Sequence, residues 1–217
     1  MKVSIVCPLY NASKYIEDLN LNLLKQEKKE IDELEVVYVL TRSKDNTKEL
    51  LEKNNLKYIE IEANDFSHSL TREKAAMESD ADICVFITQD ILINDDKWLY
   101  KLTKPIYESK CDAAFSRQIC DNKSIEKYTR MKNYPKESRI TSKKDTESLG
   151  IRAFFFSDAA SAVNLNIYKK VDGYDGLDLL TNEDMYLAYK LINNGYKIMY
   201  NAEACVIHSH DYKFKTL

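Results

Sequence analysis

Short apolar runs alternate with amphipathic stretches along the first half of the chain. The apolar runs have the length of strands and lie at 3–7, 35–40, 57–61 and 83–87. Between them, apolar residues recur at helical spacing and predict helices over 13–26, with Ser13 as the N-cap, 45–54 and 69–78. Buried strands separated by helices indicate βαβ units. We therefore expect an α/β fold in which helices flank a doubly wound, mostly parallel sheet.

The second half has a less regular pattern. It predicts a helix over 95–109, a strand over 112–117 and another strand at 153–156. A helix is expected from Glu183 to just before Gly195, followed by two short strands at 197–200 and 204–208. Residues 122–150 are rich in Lys, Glu and Ser, with too few apolar residues for a core. They predict a mobile, partly helical excursion within a single domain.

Composition narrows the class of protein. The 32 basic and 35 acidic residues give a net charge of −3, which argues against a nucleic-acid binder. Four glycines and three prolines are too few for a Gly-rich phosphate loop. The five cysteines have no metal-binding spacing, and neither a secretory signal nor a membrane-spanning run is visible. These features favour a reduced, cytoplasmic setting.

Two segments carry candidate metal ligands. Asp90 follows the apolar run at 83–87, where a carboxylate at a strand end suits a hard cation such as Mg²⁺ or Mn²⁺, although Asp is also a common turn former. His208 and His210 are spaced two apart, so in a strand both face the same side. The alternative is a pair of solvated histidines on a frayed end.

Two further segments precede helices. Thr181 and Asp184 have capping-box spacing, which suits either a plain helix start or a general base whose pKa is raised by Glu183. Ser67 or Ser69 is expected to cap the helix at 69–78, with Arg72 near its N-terminus facing an anion. The alternative for Arg72 is a surface position. GxSxG, Walker A, GxGxxG and HExxH motifs are all absent from the sequence.

Five segments in order resemble the family 2 glycosyltransferases of GT-A fold, and among them the bacterial rhamnosyltransferase-like group. VSIVCPLYN from Val3 is similar to the nucleotide-binding start of the family, and SKDNT from Ser43 resembles its GSTDGT segment. FSHSLTR resembles FNHGxTR, FITQD resembles a variant of the DxD metal motif, and GYDGLDLLTNEDMYLAYKLINNGYKIMY resembles the GF…ED…LRL…GY signature, with HSH following.

The resemblance implies an inverting, metal-dependent transfer of sugar from a nucleotide-diphosphate sugar to an acceptor hydroxyl, in bacterial surface polysaccharide synthesis. Residues 1–92 would be the nucleotide-binding half and 93–217 the acceptor-side half. Asp184 would be the base beside Glu183, and Mn²⁺ or Mg²⁺ would lie at Asp90 with His208 or His210. Asp158 would either line the acceptor cleft or simply end the strand at 153–156. The donor would lie against six residues, namely Pro8, Tyr10, Asn11, Asp45, Arg72 and Gln89.

The implied partners are the donor and a glycan or lipid-linked glycan, with peripheral contact at the inner face of the membrane and no nucleic acid. Leu40 and Thr88 stand where the family usually has acidic residues. These two positions favour the alternative of a degenerate module that binds a nucleotide or glycan without turnover. A sugar-nucleotide nucleotidyltransferase is disfavoured, because no glycine follows the first strand.

Overall fold

Eight strands and eight α-helices are found in residues 1–122 and 124–209, which the computed structural model describes. The strands are β1 (Lys2–Leu9), β2 (Glu33–Thr41), β3 (Tyr58–Ile61), β4 (Ile83–Ile87), β5 (Ala113–Ile119), β6 (Arg139–Thr141), β7 (Ala160–Asn164) and β8 (Ile198–Ile207). The helices are α1 (Ile16–Leu24), α2 (Thr47–Lys53), α3 (His68–Glu78), α4 (Trp98–Tyr107), α5 (Glu126–Asn133), α6 (Thr146–Leu149), α7 (Leu165–Lys170) and α8 (Glu183–Asn193).

The strands form one sheet in the order β3-β2-β1-β4-β7-β5-β8-β6. Six of them run parallel, whereas β7 is antiparallel to both β4 and β5, and β6 is antiparallel to β8. The carboxyl ends of the parallel strands therefore share one edge with the start of β7, where Ala160 pairs with Ile87. Loops at this edge position the candidate site.

Helices cover both faces of the sheet. On one face α1 and α4 bury side chains such as Leu19 and Trp98, and on the other α3, α7 and α8 bury side chains such as Ala76, Tyr168 and Leu187. Because all five residues of β4 are buried, this central strand has the continuous apolar run expected of a parallel sheet covered on both sides. The expected α/β class is confirmed.

The predicted elements of the first half are all present. The largest difference lies at α1, which begins at Ile16 rather than at Ser13. The amide of Ser13 donates to Oδ2 of Asp45 at 2.9 Å, so this residue is held by a neighbouring loop and caps no helix. Strand β1 also continues through Leu9, so Pro8 lies within a strand opposite Val39.

Within the predicted excursion at 122–150, residues 124–150 are more ordered than the sequence predicted. They carry α5, α6 and the edge strand β6, which pairs with β8 from Arg139 to Thr141. The amide of Ala202 donates to Oγ of Ser138, and the hydroxyl of Tyr200 donates to the carbonyl of Pro135. Pairing with β8 therefore stabilises a segment whose polar composition did not indicate a strand.

Two further predictions in the second half are wrong. Residues 153–156 do not form a strand, because a 3₁₀ turn over Gly150–Phe154 occupies the first half of this segment. The strand is β7, which begins at Ala160 and was missed because its ASAVN sequence is mostly small residues with weak strand preference. The two predicted terminal strands are one strand, β8, with a bulge that shifts its register against β5 between Ser116 and Arg117.

No helix in the described ranges is both long enough and apolar enough to cross a membrane.

Candidate active site

The loops after β1 and β2 are joined by hydrogen bonds between backbone and side chains. The amide of Asn11 donates to Oγ of Ser43 at 2.9 Å, and the amide of Lys44 donates to Oδ1 of Asn11 at 3.2 Å. The amide of Ala12 donates to Oγ1 of Thr47 at 2.7 Å. Asn11 has a φ of 48°, in the left-handed region that Asn tolerates better than most residues. The PLYN and SKDNT segments thus form one rigid surface.

Asp45 supports this surface from within. Its Oδ1 accepts a 2.6 Å hydrogen bond from Oγ1 of Thr47, and its Oδ2 accepts from the amide of Ser13. Burial raises the pKa of Asp45, but the hydrogen bonds from Thr47 and Ser13 outweigh this effect and hold it below its usual value. The carboxylate is therefore engaged within the chain, and its contact with a nucleotide stays a prediction.

Gln89 links the loops after β1 and β4. The amide of Tyr10 donates to Oε1 of Gln89 at 2.8 Å, and Nε2 of Gln89 donates to the carbonyl of Tyr10 at 3.0 Å. This reciprocal pair fixes the backbone while the Tyr10 ring stays 51% exposed. An exposed aromatic ring at a strand end offers a flat surface for a base to stack on.

Asp90 and His208 meet at the shared edge of the sheet. Nε2 of His208 lies 3.4 Å from Oδ1 of Asp90. An isolated bridge between Leu92 and Ile207 fixes the two chain segments side by side. Burial raises the pKa of Asp90, but hydrogen bonding and the charge of His208 outweigh it, so this pKa lies well below its usual range. Asp90 is therefore ionised at every physiological pH.

The hydrogen-bond network orients the ring of His208. Nε2 of Gln118 donates to Oγ of Ser157 at 2.9 Å, which makes the other amide atom the oxygen. That oxygen lies 2.9 Å from Nδ1 of His208, so Nδ1 donates to it. Nε2 is then the nitrogen that faces Asp90, on the side where a metal would bind.

Arg130 of α5 supports this arrangement from behind. Its Nε and Nη2 lie 3.1 and 2.7 Å from Oε1 of Glu126, one helical turn earlier. Nη1 donates to the same Gln118 oxygen, and Nη2 lies 3.2 Å from Nδ1 of His208. The side chains of Arg130 and Glu126 are 14% and 9% exposed, so the pair is largely removed from water.

The donor set at Asp90 and His208 suits a divalent ion that also binds substrate. Among the described residues, no group of three or more His, Cys, Asp or Glu side chains is placed to hold a metal. Mg²⁺ is commonly held by one or two protein ligands together with substrate phosphates and water. A carboxylate with an adjacent imidazole nitrogen fits such an ion. His210, the third predicted ligand, lies outside the described residues.

Asp184 lies in the first turn of α8. Asn182 stands at the N-cap with a left-handed φ of 59°, and no side chain caps the helix. The capping box predicted between Thr181 and Asp184 does not form, because Oδ1 of Asp184 accepts from the adjacent amide of Met185 at 2.7 Å. The acidic side chains of Glu183 and Asp184 still lie at the positive end of the helix, as a plain helix start predicts.

The pKa of Asp184 is raised to about 7. Burial is the largest cause, followed by the charge of Asp158 and then that of Glu183. The predicted direction agrees, but the predicted cause, repulsion from Glu183, ranks only third, after burial and the charge of Asp158. A carboxyl group with a pKa near 7 suits a general base at neutral pH.

Asp158 is buried, whereas the sequence put it on an open acceptor cleft. It is 1% exposed, and its two oxygens accept hydrogen bonds from Oγ of Ser161 at 2.7 Å and from the hydroxyl of Tyr174 at 2.6 Å. Burial raises its pKa. A carboxylate in this position acts on its neighbour through charge and has no surface with which to contact an acceptor.

Arg72 turns inward towards the acids. It is 4% exposed, and its Nη1 donates to the carbonyl of His68 at 2.7 Å and lies 3.5 Å from Oε1 of Glu183. Nε is buried and has no hydrogen-bond partner in the described part of the chain. The anion that Arg72 faces is therefore a carboxylate of its own chain, and its contact with a donor stays a prediction. Ser67 caps α3 by accepting from the amide of Leu70, as expected.

The two groups of acids lie within electrostatic reach of one strand end. Burial raises the pKa of Cys7 in β1, and the charges of Arg72 and Asp90 both act on it. Burial likewise raises the pKa of Tyr134, on which the charges of Arg130 and Asp184 both act. Asp90 and His208 follow the carboxyl ends of β4 and β8, and Asp184 lies in the first turn of the helix that leads into the opposite end of β8, so the topology also puts all three at the carboxyl edge of the sheet.

Several residues of this site were missed in the sequence. Glu126 and Arg130 are four residues apart, a spacing that indicates an ion pair when the segment is helical. Gln118 could have been predicted as well, because it lies near the carboxyl end of β5, at the edge of the sheet that carries the site. Nothing in the local sequence indicates that Tyr174 would bind Asp158, because these residues are 16 apart and meet only through the fold.

A comparison with protein families identifies the family to which the chain belongs. The family model described as Glycosyl transferase family 2 matches residues 4–172. The chain belongs to glycosyltransferase family 2. The match spans β1 to α7 and includes Asp90, Arg72 and Asp158, so the resemblance seen in the sequence is confirmed.

Relatives within glycosyltransferase family 2 extend this result. The chain is 33% identical to the O-antigen chain rhamnosyltransferase RfbN of Salmonella typhimurium, over 98% of this chain and 68% of that protein. It is similar to the crystal structure of S. aureus TarS residues 1–349 in complex with UDP-GlcNAc, with a TM-score of 0.72 and 21% identity, over 98% of this chain and 60% of that one. A mannosyltransferase from Pyrobaculum calidifontis, solved with GDP-Man and Mn²⁺, gives a TM-score of 0.65 at 16% identity and covers 95% of this chain and 56% of that one. The chain thus spans about two thirds or less of the proteins it matches.

Proposed function

We propose that this chain transfers a sugar from a nucleotide-diphosphate sugar to an acceptor hydroxyl with inversion, in the synthesis of a bacterial surface polysaccharide. One observation carries the proposal: Asp184, with a pKa of about 7, shares the sheet edge with the ionised Asp90 and with His208. Family membership and the similarity to an O-antigen rhamnosyltransferase support the reaction class and the polysaccharide.

The donor would lie across the loops that follow β1, β2 and β4. The exposed ring of Tyr10 would stack on the base, and the rigid surface formed by Asn11 and Asp45 would hold the nucleoside. The diphosphate would then reach the end of β4 beside Asp90. This orientation places the anomeric carbon towards α8, where Asp184 stands.

Asp90 and His208 would hold the divalent ion. When bound, such an ion supplies positive charge that stabilises the departing diphosphate. The chain orients the imidazole through Gln118 and Arg130, so that Nε2 is directed to the ligand side before any donor arrives. Asp90, whose pKa is held low, remains a carboxylate and needs no deprotonation on binding.

Asp184 would take the proton from the acceptor hydroxyl. As the new bond forms between the acceptor oxygen and the anomeric carbon, the bond from that carbon to the diphosphate oxygen breaks, and the electron pair leaves with the diphosphate. Attack from the face opposite the leaving group inverts the anomeric configuration. Because its pKa is about 7, Asp184 is ionised in a large fraction of molecules at neutral pH and still binds the proton well.

Replacing Asp184→Asn tests the base. We expect turnover to fall by about 10³-fold while the donor dissociation constant changes less than about twofold, since the amide keeps the shape but accepts no proton. A panel of UDP-, dTDP- and GDP-sugars with Mn²⁺ identifies the donor by thermal shift, and donor hydrolysis or transfer is then measured. Asp178→Asn, at an exposed site before α8, is the matched control.

Two outcomes would contradict the proposal in different ways. Near-normal turnover in Asp184→Asn would remove the base assignment. Donor binding by the wild-type chain without transfer or slow hydrolysis would favour the nucleotide-binding module without turnover, which the residues Leu40 and Thr88 also suit.

Removal of divalent metal tests whether donor binding depends on such an ion. We expect EDTA to weaken donor binding by at least about tenfold and Mn²⁺ or Mg²⁺ to restore it, because the diphosphate loses its cation. Asp90→Asn should weaken Mn²⁺ binding itself when measured by calorimetry without donor. Equal donor affinity with and without metal would show that the donor binds through the protein alone.

A further inference from the structure

A cavity of about 540 Å³ opens beside the start of α8. Its walls come from α5, from the 134–139 segment that leads into β6, from residues 151–155 and from α8. Met185, the residue after Asp184, lines it. The cavity therefore begins one residue from the proposed base, on the side away from the nucleotide-binding loops.

Aromatic side chains form the floor of this cavity. The ring of Phe115 packs against those of Phe155 and Tyr200, with centroid distances of 5.7 and 5.2 Å. All three residues line the cavity. Pockets that combine an aromatic floor with a few polar groups suit ligands that have both apolar faces and hydroxyl groups, as a sugar ring does.

The rim of the cavity is positively charged. Lys132, Arg139 and Arg152 line it, against one carboxylate, Glu137. Within the described ranges, no carboxylate oxygen lies within 4 Å of the charged groups of these three cations. This local excess of positive charge occurs in a chain whose net charge is −3. Unpaired cations around a cavity favour an anionic ligand.

The rim is held in place before any ligand binds. Arg139 pairs with Tyr200 across β6 and β8, and the hydroxyl of Tyr200 donates to the carbonyl of Pro135 at 2.6 Å. The backbone that carries Arg139 is thus fixed at the edge of the sheet. A preformed site loses little conformational freedom on binding.

We propose that this cavity is the acceptor subsite and that it binds a phosphate-bearing saccharide. The inference rests on the proposed function, which it deepens by naming the class of acceptor. The two arginines and the lysine carry more positive charge than the single carboxylate of Glu137 can neutralise. Each guanidinium group can also donate two parallel hydrogen bonds to the oxygens of a phosphate. The sugar ring lies on the aromatic floor, and its hydroxyl reaches Asp184 past Met185.

The methionine methyl groups provide a local readout. The chain has five methionines, of which Met185 lines the cavity and Met77 lies on α3 outside it. In protein labelled with ¹³C-methyl methionine, with the Met185 signal assigned through Met185→Leu, we expect glucose 1-phosphate to shift Met185 and not Met77. Methyl α-glucoside and inorganic phosphate should bind at least about tenfold more weakly, because each lacks half of the recognised chemistry.

Charge variants test the rim. In Lys132→Gln/Arg152→Gln we expect the apparent dissociation constant for glucose 1-phosphate to rise at least about tenfold, with the Met185 signal in its original position when no ligand is present. Lys143→Gln/Lys144→Gln, exposed in the same connection and outside this lining, is the charge-matched control. An equal rise in both variants would reduce the effect to net charge and overturn the subsite.

Separate readouts distinguish this proposal from the function on which it rests. If the wild-type chain hydrolyses its donor, and the rim variant does so equally, but Met185 does not respond to glucose 1-phosphate, the subsite is wrong and the transferase stands. If no donor is bound or hydrolysed, the proposed function fails first. Rim-dependent binding of phosphatidylglycerol vesicles without any response to glucose 1-phosphate would assign the rim to a membrane and overturn the saccharide.

Discussion

Asp184 shares a small buried volume with two other carboxyl groups and one guanidinium group. Asp158 and Glu183 both raise its pKa, and Arg72, 3.5 Å from Glu183, lowers it. One cation cannot balance three carboxylates in a site with little water, so at least one carboxyl group keeps its proton near neutral pH. Burial raises the pKa of Asp158 as well, despite its hydrogen bonds from Ser161 and Tyr174, so Asp158 and Asp184 titrate as an interacting pair.

The raised pKa of Asp184 has a measurable effect on the free energy of unfolding. In the folded chain Asp184 keeps its proton up to about pH 7, whereas in the unfolded chain it releases it near 3.8. Stability is therefore lost as the pH rises between these values. Because Asn does not titrate, we expect Asp184→Asn to be more stable than wild type, by an upper limit of about 4 kcal/mol above pH 7 and by less at pH 5.

Urea unfolding at pH 5 and pH 8 measures this difference. Asp178→Asn, at an exposed position, should show no such growth with pH. A gain for Asp184→Asn that is the same at both pH values would mean that the pKa of Asp184 is ordinary, and the role of general base would lose its physical basis.

Single residues were predicted unevenly from sequence. Asp90, His208 and Asp184 were predicted as site residues because each stands next to a strand or helix end at this edge of the sheet, and their roles stay predictions. The interior contacts of Arg72 and Asp158 were not found, because a buried position depends on what packs above it. Glu183 was given too large an effect on Asp184 because adjacent residues are visible in sequence, whereas Asp158, 26 positions earlier, is not.

Helix α5 shows how a polar element contributes to a site. Its composition predicted a mobile excursion, but Glu126 and Arg130 form a largely buried ion pair behind Gln118 and His208. The helix is therefore ordered by polar contacts, which a hydrophobic pattern does not reveal. These contacts also hold the ring of His208 in place.

Replacing Arg130→Lys tests this support. Lysine keeps the charge but loses the fork that contacts Glu126 and Gln118 together, so the imidazole becomes less fixed. We expect Mn²⁺ affinity to fall by about tenfold, measured by calorimetry on the donor-free protein. Lys127→Arg, exposed on the same helix, is the control. Unchanged Mn²⁺ affinity would place His208 outside the metal site.

The sheet joins both halves of the chain. Strand β4 from the first half pairs with β7 from the second, and the two apolar layers lie on opposite faces of the same eight strands. The first half was predicted well because parallel βαβ units have continuous apolar runs and regular spacing. The second half was predicted poorly, since β7 has small residues and β6 is a three-residue edge strand.

Unfolding tests whether the chain is one cooperative unit. Trp98, the single tryptophan, is fully buried on one face and donates to Oγ of Ser116, so its fluorescence reports that layer. Far-UV circular dichroism also reports α3, α7 and α8 on the other face. We expect the two urea transitions to coincide. Separate midpoints would show two units and contradict the single domain predicted for residues 1–217.

The reversed direction of β7 has a consequence for how the molecule matures. This strand lies between β4 and β5, so it can dock only when both neighbours are present, and it joins residues distant along the chain. Asp158 lies two residues before β7, so it reaches its buried position when this strand docks. We therefore expect a nascent molecule to assemble its nucleotide-binding loops early, and to gain the carboxylate that tunes Asp184 only in the last steps of folding.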